Sequence, residues 1–401
     1  MTFQTFTGKE YLKIDIANNF GLEKKNWDER ISWFDANEHQ LDALLKTAKE
    51  PALFYAGTRA WQKTKQGKPT GYMISLDATS SGIQILACLA GDRKAAEICN
   101  VVDVGQRVDA YTLLYDDMNA KIGQSKKLDP KQTKKAIMTA FYGSTAMPKR
   151  VFGEDEMLEA FFETMKEKTP GAWEINESML MIWDSEALEH TWVLPDNFHV
   201  RIKVMGNTTE VVRFLNESFE VTYAQNQPIE DGRSLGANTV HSIDGMIVRE
   251  MLRRCNYDQD QREILVDLVQ RGVKTRCVSR PKDDMLLVLW GRYLQSGFFS
   301  ARILDYLDVE NIGLIDHKVL TRLLNSLPVK PFEMIAVHDC FRCHPNYGND
   351  LRQQYNNLLA EIAESRMLEN LISQIVDRQI GVTPLDPNMG SEIRVANYAL
   401  S

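Results

Sequence analysis

Two short apolar segments, far apart in the chain, each lead into an aspartate. Residues Tyr72–Leu76 run directly into Asp77, and the apolar part of "FEMIAVHDCF" (residues 332–341) is followed by Asp339. Short apolar runs of this kind predict buried β-strands. If the two strands pair, both carboxylates come to one place, and carboxylates are ligands that Mg²⁺ prefers. The pattern predicts a mixed α/β fold with a candidate metal site in a sheet.

A second interpretation competes for the C-terminal segment. Residues 340–344, Cys-Phe-Arg-Cys-His, fit C-x-x-C-H, the pattern that tethers a c-type haem. Bacterial proteins of that kind are normally exported, whereas the opening residues MTFQTFTGKEY have neither the basic nor the apolar region of a signal peptide. A zinc site is also disfavoured, because no second C-x-x-C or H-x-x-x-H pair stands at a zinc-finger spacing. We therefore expect Asp339 to carry the chemistry and both cysteines to be bystanders.

The composition is that of a globular protein with an acidic balance. The chain has 401 residues, 44% of them apolar, six cysteines and a net charge of −8. We expect two or three domains and a reducing cytoplasm as the location. No membrane association is expected, because no apolar run approaches the length of a span. The acidic balance argues against a chain-wide nucleic-acid coat but allows a local basic channel.

One basic stretch stands out at residues 121–150. Its eight cationic residues face a single acid, Asp129; they are Lys121, Lys126, Lys127, Lys131, Lys134, Lys135, Lys149 and Arg150. Phe141 and Tyr142 are interleaved with them, which a solvated helix face rarely needs. Charge alone leaves two interpretations open, a solvated helix or a nucleic-acid-binding surface.

Helices dominate the rest of the pattern. We expect them over residues 1–71, up to about residue 190, over 252–330 and again from Leu351. The segments "NFHVRIKV" and "EVVRFLNESFEVTYAQ" read as β-structure, the second as a hairpin with Asn216-Glu217 at its tip.

Three helix ends can be predicted from cap residues. Ser81 and Gln84 have the spacing of a capping box for a helix that runs through Leu89. Gly91 would close that helix. Asp244 is a good N-cap for a helix that begins there.

Phosphoryl transfer to a growing chain would explain the two aspartates and the basic stretch together. It uses two Mg²⁺ ions about 3.5–4 Å apart and a cation for the triphosphate. Lys134 and Tyr142 lie eight residues apart, so a helix would place them on one face.

Four ordered segments resemble the motifs of a known family. "DATSSGIQ", "KKAIMTAFYGS", "TVHSIDG" and "VHDCF" are similar to motif A, motif B, the His segment and motif C of single-subunit, phage-type DNA-dependent RNA polymerases, which include mitochondrial enzymes. "YLKIDIANNFG" resembles the segment just upstream of motif A. The resemblance implies a helix-rich α/β right-hand polymerase with palm and fingers.

The resemblance also implies roles for individual residues. Asp77, Asp339 and the carbonyl of Ala78 would bind two Mg²⁺ ions. Lys134, helped by Lys13 and Lys135, would hold the incoming triphosphate. The remaining nucleotide-site residues implied are Tyr142, Gly143, Gly82 and His241, with Tyr142 and His241 near the ribose.

A domain division follows from the same resemblance. It assigns residues 1–71 to a helical palm-associated segment, 72–105 to the palm with motif A, 106–236 to the fingers with a candidate promoter-specificity hairpin at 209–226, and 237–401 to the palm with an insertion at 252–330.

Two alternatives stay open. An A-family DNA polymerase shares the same palm, but such enzymes usually carry glutamate where this chain has Gly82, and an aromatic residue where it has Met138. Because that glutamate blocks the ribose 2′-hydroxyl, the open Gly82 favours RNA synthesis. A non-catalytic DNA-binding subunit on a polymerase fold is disfavoured by the presence of both aspartates.

The resemblance finally implies partners. Besides a DNA template, nascent RNA and ribonucleoside triphosphates, we expect a separately encoded smaller subunit that supplies the family's N-terminal domain, thumb and early palm motif. This arrangement is similar to the two-subunit RNA polymerases of enquatro-type (N-four-like) podophages, of which this chain would be the larger, catalytic subunit. A single-stranded-DNA-binding factor and a location in the cytoplasm of an infected bacterial host are further expectations.

Overall fold

A computed structural model describes residues 2–122, 129–230, 232, 234–273 and 280–401. The predicted Lys126 and Lys127 of the basic stretch lie outside these ranges.

The helices are α1 (Gly8–Ala17), α2 (Trp27–Asn37), α3 (Leu41–Leu44), α4 (Pro51–Lys65), α5 (Ser81–Ala90), α6 (Arg93–Ile98), α7 (Ala110–Ile122), α8 (Pro130–Ala140), α9 (Ala146–Phe152), α10 (Glu156–Lys168), α11 (Pro170–Met181), α12 (Ser234–Cys255), α13 (Gln259–Gln270), α14 (Asp284–Ser296), α15 (His317–Ser326), α16 (Gly348–Ala363), α17 (Met367–Ile375) and α18 (Gly390–Arg394). The strands are β1 (Ile74–Asp77), β2 (Glu189–Val193), β3 (His199–Lys203), β4 (Met205–Phe214), β5 (Glu217–Asn226), β6 (Met334–Val337) and β7 (Cys340–Cys343). The predicted helix-rich α/β class is confirmed.

A small antiparallel sheet in the order β1-β7-β6 joins the two predicted aspartate segments. The strand before Asp339 does not pair with β1 as expected. It forms a hairpin with β7, and β7 pairs with β1, so that Asp77 lies opposite Cys340. Because side chains alternate along a strand, Leu76 and Phe341 point into the core while Asp77 lies on the other face.

Helix α5 follows Asp77 and is the centre of the main core. Each of its ten residues is buried, and it packs against α11, α12 and α16. Gly91 ends it in the left-handed conformation (φ 63°), which glycine adopts without strain. The capping box was wrong: Ser80 precedes the helix without a side-chain cap, and the Gln84 amide makes other bonds.

Two further hydrophobic cores lie beside the main one. The predicted insertion at 252–330 has a core of its own, which includes Leu265, Leu286 and Leu320. A smaller core joins α1, α2 and α4 around Phe34 and Trp61. The described part of the chain contains no helix long and apolar enough to cross a membrane.

Strands β4 and β5 form a two-stranded ribbon. Its tip is Leu215-Asn216, with φ values of 49° and 66°. Positive φ at both central residues is the requirement of the hairpin turn that matches strand twist. The predicted tip, Asn216-Glu217, was therefore one residue too late.

Two predicted helix features were also wrong. Helix α8 ends at Ala140, so Tyr142 lies in the turn after the helix and not two turns along it from Lys134. Helix α12 begins at Ser234, ten residues before Asp244, which therefore lies inside the helix. In both cases tertiary packing set the helix end, which side-chain periodicity does not report.

Candidate active site

Asp77 and Asp339 meet at one end of the small sheet. Asp77 is the last residue of β1, and Asp339 lies in the two-residue turn between β6 and β7. The Ala78 amide donates a hydrogen bond of 3.0 Å to the Asp339 carbonyl. His338, the other turn residue, has φ 56°, a conformation that non-glycine residues adopt sparingly. The turn therefore holds the two carboxyl-bearing residues side by side.

The electrostatics of this pair suit a cation. Burial raises the pKa of Asp77, and the nearby charge of Asp339 raises it further, whereas the Cys340 thiol hydrogen-bonded to it acts in the opposite direction. A divalent ion between the carboxylates would relieve this repulsion. Within the described ranges no group of three or more His, Cys, Asp or Glu side chains could hold a metal. Two carboxylates suit Mg²⁺, which takes its other ligands from phosphates and water.

The last residues of the chain pair with the segment that carries Asp77. The Ser401 amide donates to the Asp77 carbonyl (2.9 Å), and the Thr79 amide donates to the Ala399 carbonyl (3.2 Å). Ala78 forms a β-bridge with Leu400. The backbone on both sides of Asp77 is thereby held between β7 and this tail.

Gln84 connects that tail to the core. Its side-chain amide donates to the Thr79 hydroxyl (3.0 Å) and to the carbonyls of Cys99 (3.0 Å) and Ala399 (2.8 Å). Its carbonyl accepts a bond of 2.7 Å from the Tyr355 hydroxyl on α16. Gln84 is completely buried, so these bonds satisfy a polar group that would otherwise be costly to bury.

Tyr142, His241 and Gly82 lie together, as the resemblance implied. The Tyr142 and His241 rings are stacked, with centroids 4.8 Å apart and planes 5° from parallel. A Cβ atom at position 82 would stand 2.9 Å from the Tyr142 hydroxyl, closer than real Cβ contacts come. The glycine therefore allows the phenol to lie against the start of α5. Gly143, with φ 77°, makes the turn that follows Tyr142.

Asp244 is a third carboxyl group near this site. Burial raises the pKa of Asp244 to about 6, and the charge of Asp339 raises it further, against a lowering by His338. Burial also raises the pKa of Tyr142 to about 12, with Asp244 as the next contribution. The phenol of Tyr142 is therefore a stable hydrogen-bond donor at neutral pH.

Lys134 contacts a residue that sequence reasoning missed. Its ammonium lies 4.7 Å from the ring centroid of Tyr111 on α7, and the Tyr111 hydroxyl is 3.1 Å from the Ser80 hydroxyl next to motif A. A lone tyrosine in a helix has no sequence signal for such a contact, which joins three separate elements. Lys135 is exposed on the same helix.

Lys13 is engaged elsewhere. Its ammonium forms an ion pair with Asp35 (2.6 Å) and lies 5.6 Å from the Trp61 ring centroid. Contact with a triphosphate would require this ion pair to open, so the role of Lys13 stays a prediction.

Asp15 explains why the segment upstream of motif A belongs with the site. It is buried and accepts hydrogen bonds from the Tyr72 hydroxyl (2.6 Å) and the Ser75 amide (2.8 Å). Burial raises the pKa of Asp15 to about 6. The residue thus fixes α1 against β1, the strand that ends at Asp77.

These features define a class of protein. Two adjacent carboxylates, a lysine on a nearby helix and an aromatic pair over a glycine are the groups expected of a template-directed nucleotidyltransferase. Sequence comparison identifies the family: residues 5–185 match the family model of DNA-dependent RNA polymerase. That region contains Asp77, Lys134 and Tyr142, whereas His241 and Asp339 lie beyond it.

Individual relatives agree with the family match. The chain is 26% identical over 179 residues to a "Probable DNA-directed RNA polymerase" of Neurospora crassa, an alignment covering 39% of this chain and 19% of the relative. It is 24% identical over 173 residues to the "DNA-directed RNA polymerase" of Pseudomonas phage phiKMV, covering 34% and 21%. A "DNA-directed RNA polymerase, mitochondrial" of Neurospora crassa is 26% identical over 166 residues, covering 35% and 12%. The aligned part thus spans about a fifth or less of these relatives, and the matches support a DNA-directed RNA polymerase.

Proposed function

We propose that this chain is the catalytic subunit of a phage-type DNA-dependent RNA polymerase, which adds ribonucleotides to an RNA 3′ end under the direction of a DNA template. The observation that carries the proposal is the meeting of Asp77 and Asp339 in one sheet, next to a family match that ends long before Asp339. In this proposal residues 72–105 and 237–401 form the palm, residues 106–236 form the fingers and residues 1–71 support the palm.

The side chains divide the work of nucleotide addition. Asp77 and Asp339, with the carbonyl of Ala78, would hold two Mg²⁺ ions, which when bound activate the attacking 3′-oxygen and neutralise the leaving phosphates. Lys134 would neutralise the triphosphate, and it must leave the Tyr111 ring to do so, because its ammonium now lies over that ring. Lys135, next to it and exposed, offers a second cation.

Sugar selection would depend on Tyr142, His241 and Gly82. The stacked rings place a phenol and an imidazole side by side, and both can hydrogen-bond to a ribose hydroxyl. Gly82 has no side chain to block the 2′-hydroxyl. A glutamate at this position could not fit without moving Tyr142, since even a Cβ atom would lie 2.9 Å from its hydroxyl. This geometry favours RNA synthesis over the DNA polymerase alternative.

The sugar assignment can be tested by single-nucleotide addition to an RNA primer on a DNA template. Tyr142→Phe keeps the ring stack and removes the hydroxyl, so the ratio of kcat/KM for ATP to that for dATP should fall by about 3–10-fold, the worth of one hydrogen bond. Tyr55→Phe, a tyrosine on α4, is the matched control and should leave the ratio unchanged. A wild-type preference for dATP would instead support the DNA polymerase alternative.

We also propose that a separately encoded smaller subunit completes the enzyme, as in the two-subunit polymerases that the chain resembles. Outer strand β6 supports this, because Ile335 and Val337 are half-exposed there beside the palm sheet. Exposed apolar side chains on an outer strand are a common place for another chain to bind. A single-stranded-DNA-binding factor for promoter opening and action in the cytoplasm of an infected bacterium belong to the same proposal.

A further inference from the structure

The β4–β5 ribbon has two chemically different faces. Directly opposed residues share a face, and the register pairs Val212 with Phe219, Phe214 with Glu217, and Thr208 with Tyr223. One face therefore carries a continuous apolar row, made up of Phe214, Val212, Phe219, Val221 and Tyr223. The opposite face pairs Thr209 with Thr222, Val211 with Glu220 and Arg213 with Ser218.

The apolar row is exposed to solvent. Phe214 is 64% exposed, Phe219 is 53% exposed, and Leu215 at the tip is 80% exposed. Three aromatic rings at this exposure offer on the order of 300 Å², comparable with the largest apolar patch of a typical monomer. A two-stranded hairpin is marginally stable alone, so an amphipathic one with its apolar face uncovered calls for a binding partner.

The base of the ribbon is firmly held. Asn226 donates from its side-chain amide to the carbonyls of Leu188 (2.8 Å) and Val204 (2.7 Å). The Gln227 amide donates to the Val204 carbonyl (3.2 Å), and the Tyr223 hydroxyl donates to Glu210 (2.7 Å) across the strands. The ribbon is thus presented as a formed surface.

Its charge is wrong for DNA. Residues 205–226 contain three glutamates, Glu210, Glu217 and Glu220, and one cation, Arg213. Phosphate contacts supply most of the affinity for nucleic acid and need lysine or arginine. A second copy of this chain is equally unsuited, because Glu210 and Glu217 on the apolar face would meet their own counterparts. An apolar protein surface rimmed by basic residues is complementary to this face.

We propose that the apolar face of the β4–β5 ribbon docks the smaller polymerase subunit, through an apolar surface with a basic rim, and does not read promoter DNA. This inference rests on the two-subunit assembly proposed above. It differs from the promoter-reading role that the resemblance implied for residues 209–226.

The two faces supply a matched pair of variants. Phe219→Ser removes a ring from the apolar row, and Val211→Ser removes an equally exposed apolar side chain (63%) from the other face. Binding to the purified smaller subunit should weaken at least tenfold with Phe219→Ser and less than twofold with Val211→Ser. Both variants should add a nucleotide to a preformed primer–template at the wild-type rate, since both positions lie on the ribbon and not among the active-site residues.

Charge reversal separates a protein partner from DNA. Glu217→Lys should weaken binding to the smaller subunit several-fold, and most strongly at low salt, because it opposes a basic rim. If the ribbon reads DNA, the same variant will instead strengthen binding to duplex promoter DNA, while Phe219→Ser will weaken it.

Four results would overturn the inference: tight subunit binding by Phe219→Ser, equal losses from both serine variants, ribbon-dependent dimerisation of the chain in sedimentation, or no binding of the wild-type chain to the smaller subunit. None of these bears on catalysis, which the primer-extension rate reports separately. A catalytically silent wild-type chain, with or without the subunit, would instead refute the proposed function.

Discussion

Replacing Gln84 by leucine tests whether its hydrogen bonds hold the active-site backbone together. The Cys99 carbonyl still accepts from the Thr79 hydroxyl, and the Ala399 carbonyl still accepts from the Thr79 amide, so neither loses its last donor. The buried Tyr355 hydroxyl, however, loses its acceptor. An orphaned buried hydroxyl costs about 1–3 kcal/mol. With the loss of the other bonds, we expect Gln84→Leu to lower the free energy of unfolding by about 2–4 kcal/mol.

A double-mutant cycle isolates the pair. Tyr355→Phe alone should cost about 1–2 kcal/mol, because it leaves the Gln84 carbonyl without its donor. The double variant removes both partners, so its cost should be smaller than the sum by about 1–2 kcal/mol. Urea unfolding at pH 7 measures all four proteins. Costs that add to within about 0.3–0.5 kcal/mol would show that the two side chains do not depend on each other and refute the reasoning.

Three other predictions follow from contacts in the site. Gly82→Ala should displace the Tyr142 phenol and lower the ATP-to-dATP ratio of kcat/KM; an unchanged ratio in primer extension would contradict the close approach of 2.9 Å. Tyr111→Leu should change the KM for ribonucleotides more than kcat, because it removes the ring under Lys134, whereas Tyr111→Phe keeps that ring; equal effects of both would argue against the cation–π contact. In the metal-free protein, burial raises the pKa of Asp244 to about 6, so its folded carboxyl keeps a proton that the unfolded one has lost between pH 4 and 6. Stability should therefore fall as pH rises through that window, by up to about 3 kcal/mol at about 1.4 kcal/mol per pKa unit, and Asp244→Asn should remove the fall in urea titrations.

The sequence predicted the parts of the site that depend on local pattern. An apolar run before an aspartate is a local signal, and both Asp77 and Asp339 were found by it; Gly91 was found because only a left-handed residue closes a helix in that way. The pairing partner of β1 was missed, because "CFRC" is too short and too mixed to read as a strand until β6 folds back on it.

The missed features depend on tertiary contacts. The end of α8 is set by Phe141, which is buried in the core, and by the left-handed Gly143, so helical periodicity carried Tyr142 one turn too far. Asp244 looked like a cap because short polar residues favour caps, yet buried positions such as Leu235 and Val240 extend α12 well before it. The contact of Tyr111 with Lys134 joins helices that no local pattern connects.

The proposed reaction is tested most directly by single-nucleotide addition of a ribonucleotide to an RNA primer on a DNA template with Mg²⁺. Asp77→Asn and Asp339→Asn each remove one charged ligand, and each should slow the addition by at least about a thousandfold, corresponding to about 4 kcal/mol. Asp42→Asn, at an exposed aspartate on α3, serves as the control and should keep the wild-type rate. Near wild-type addition by either active-site variant, with the fold intact, would contradict the assignment of this pair as the catalytic centre.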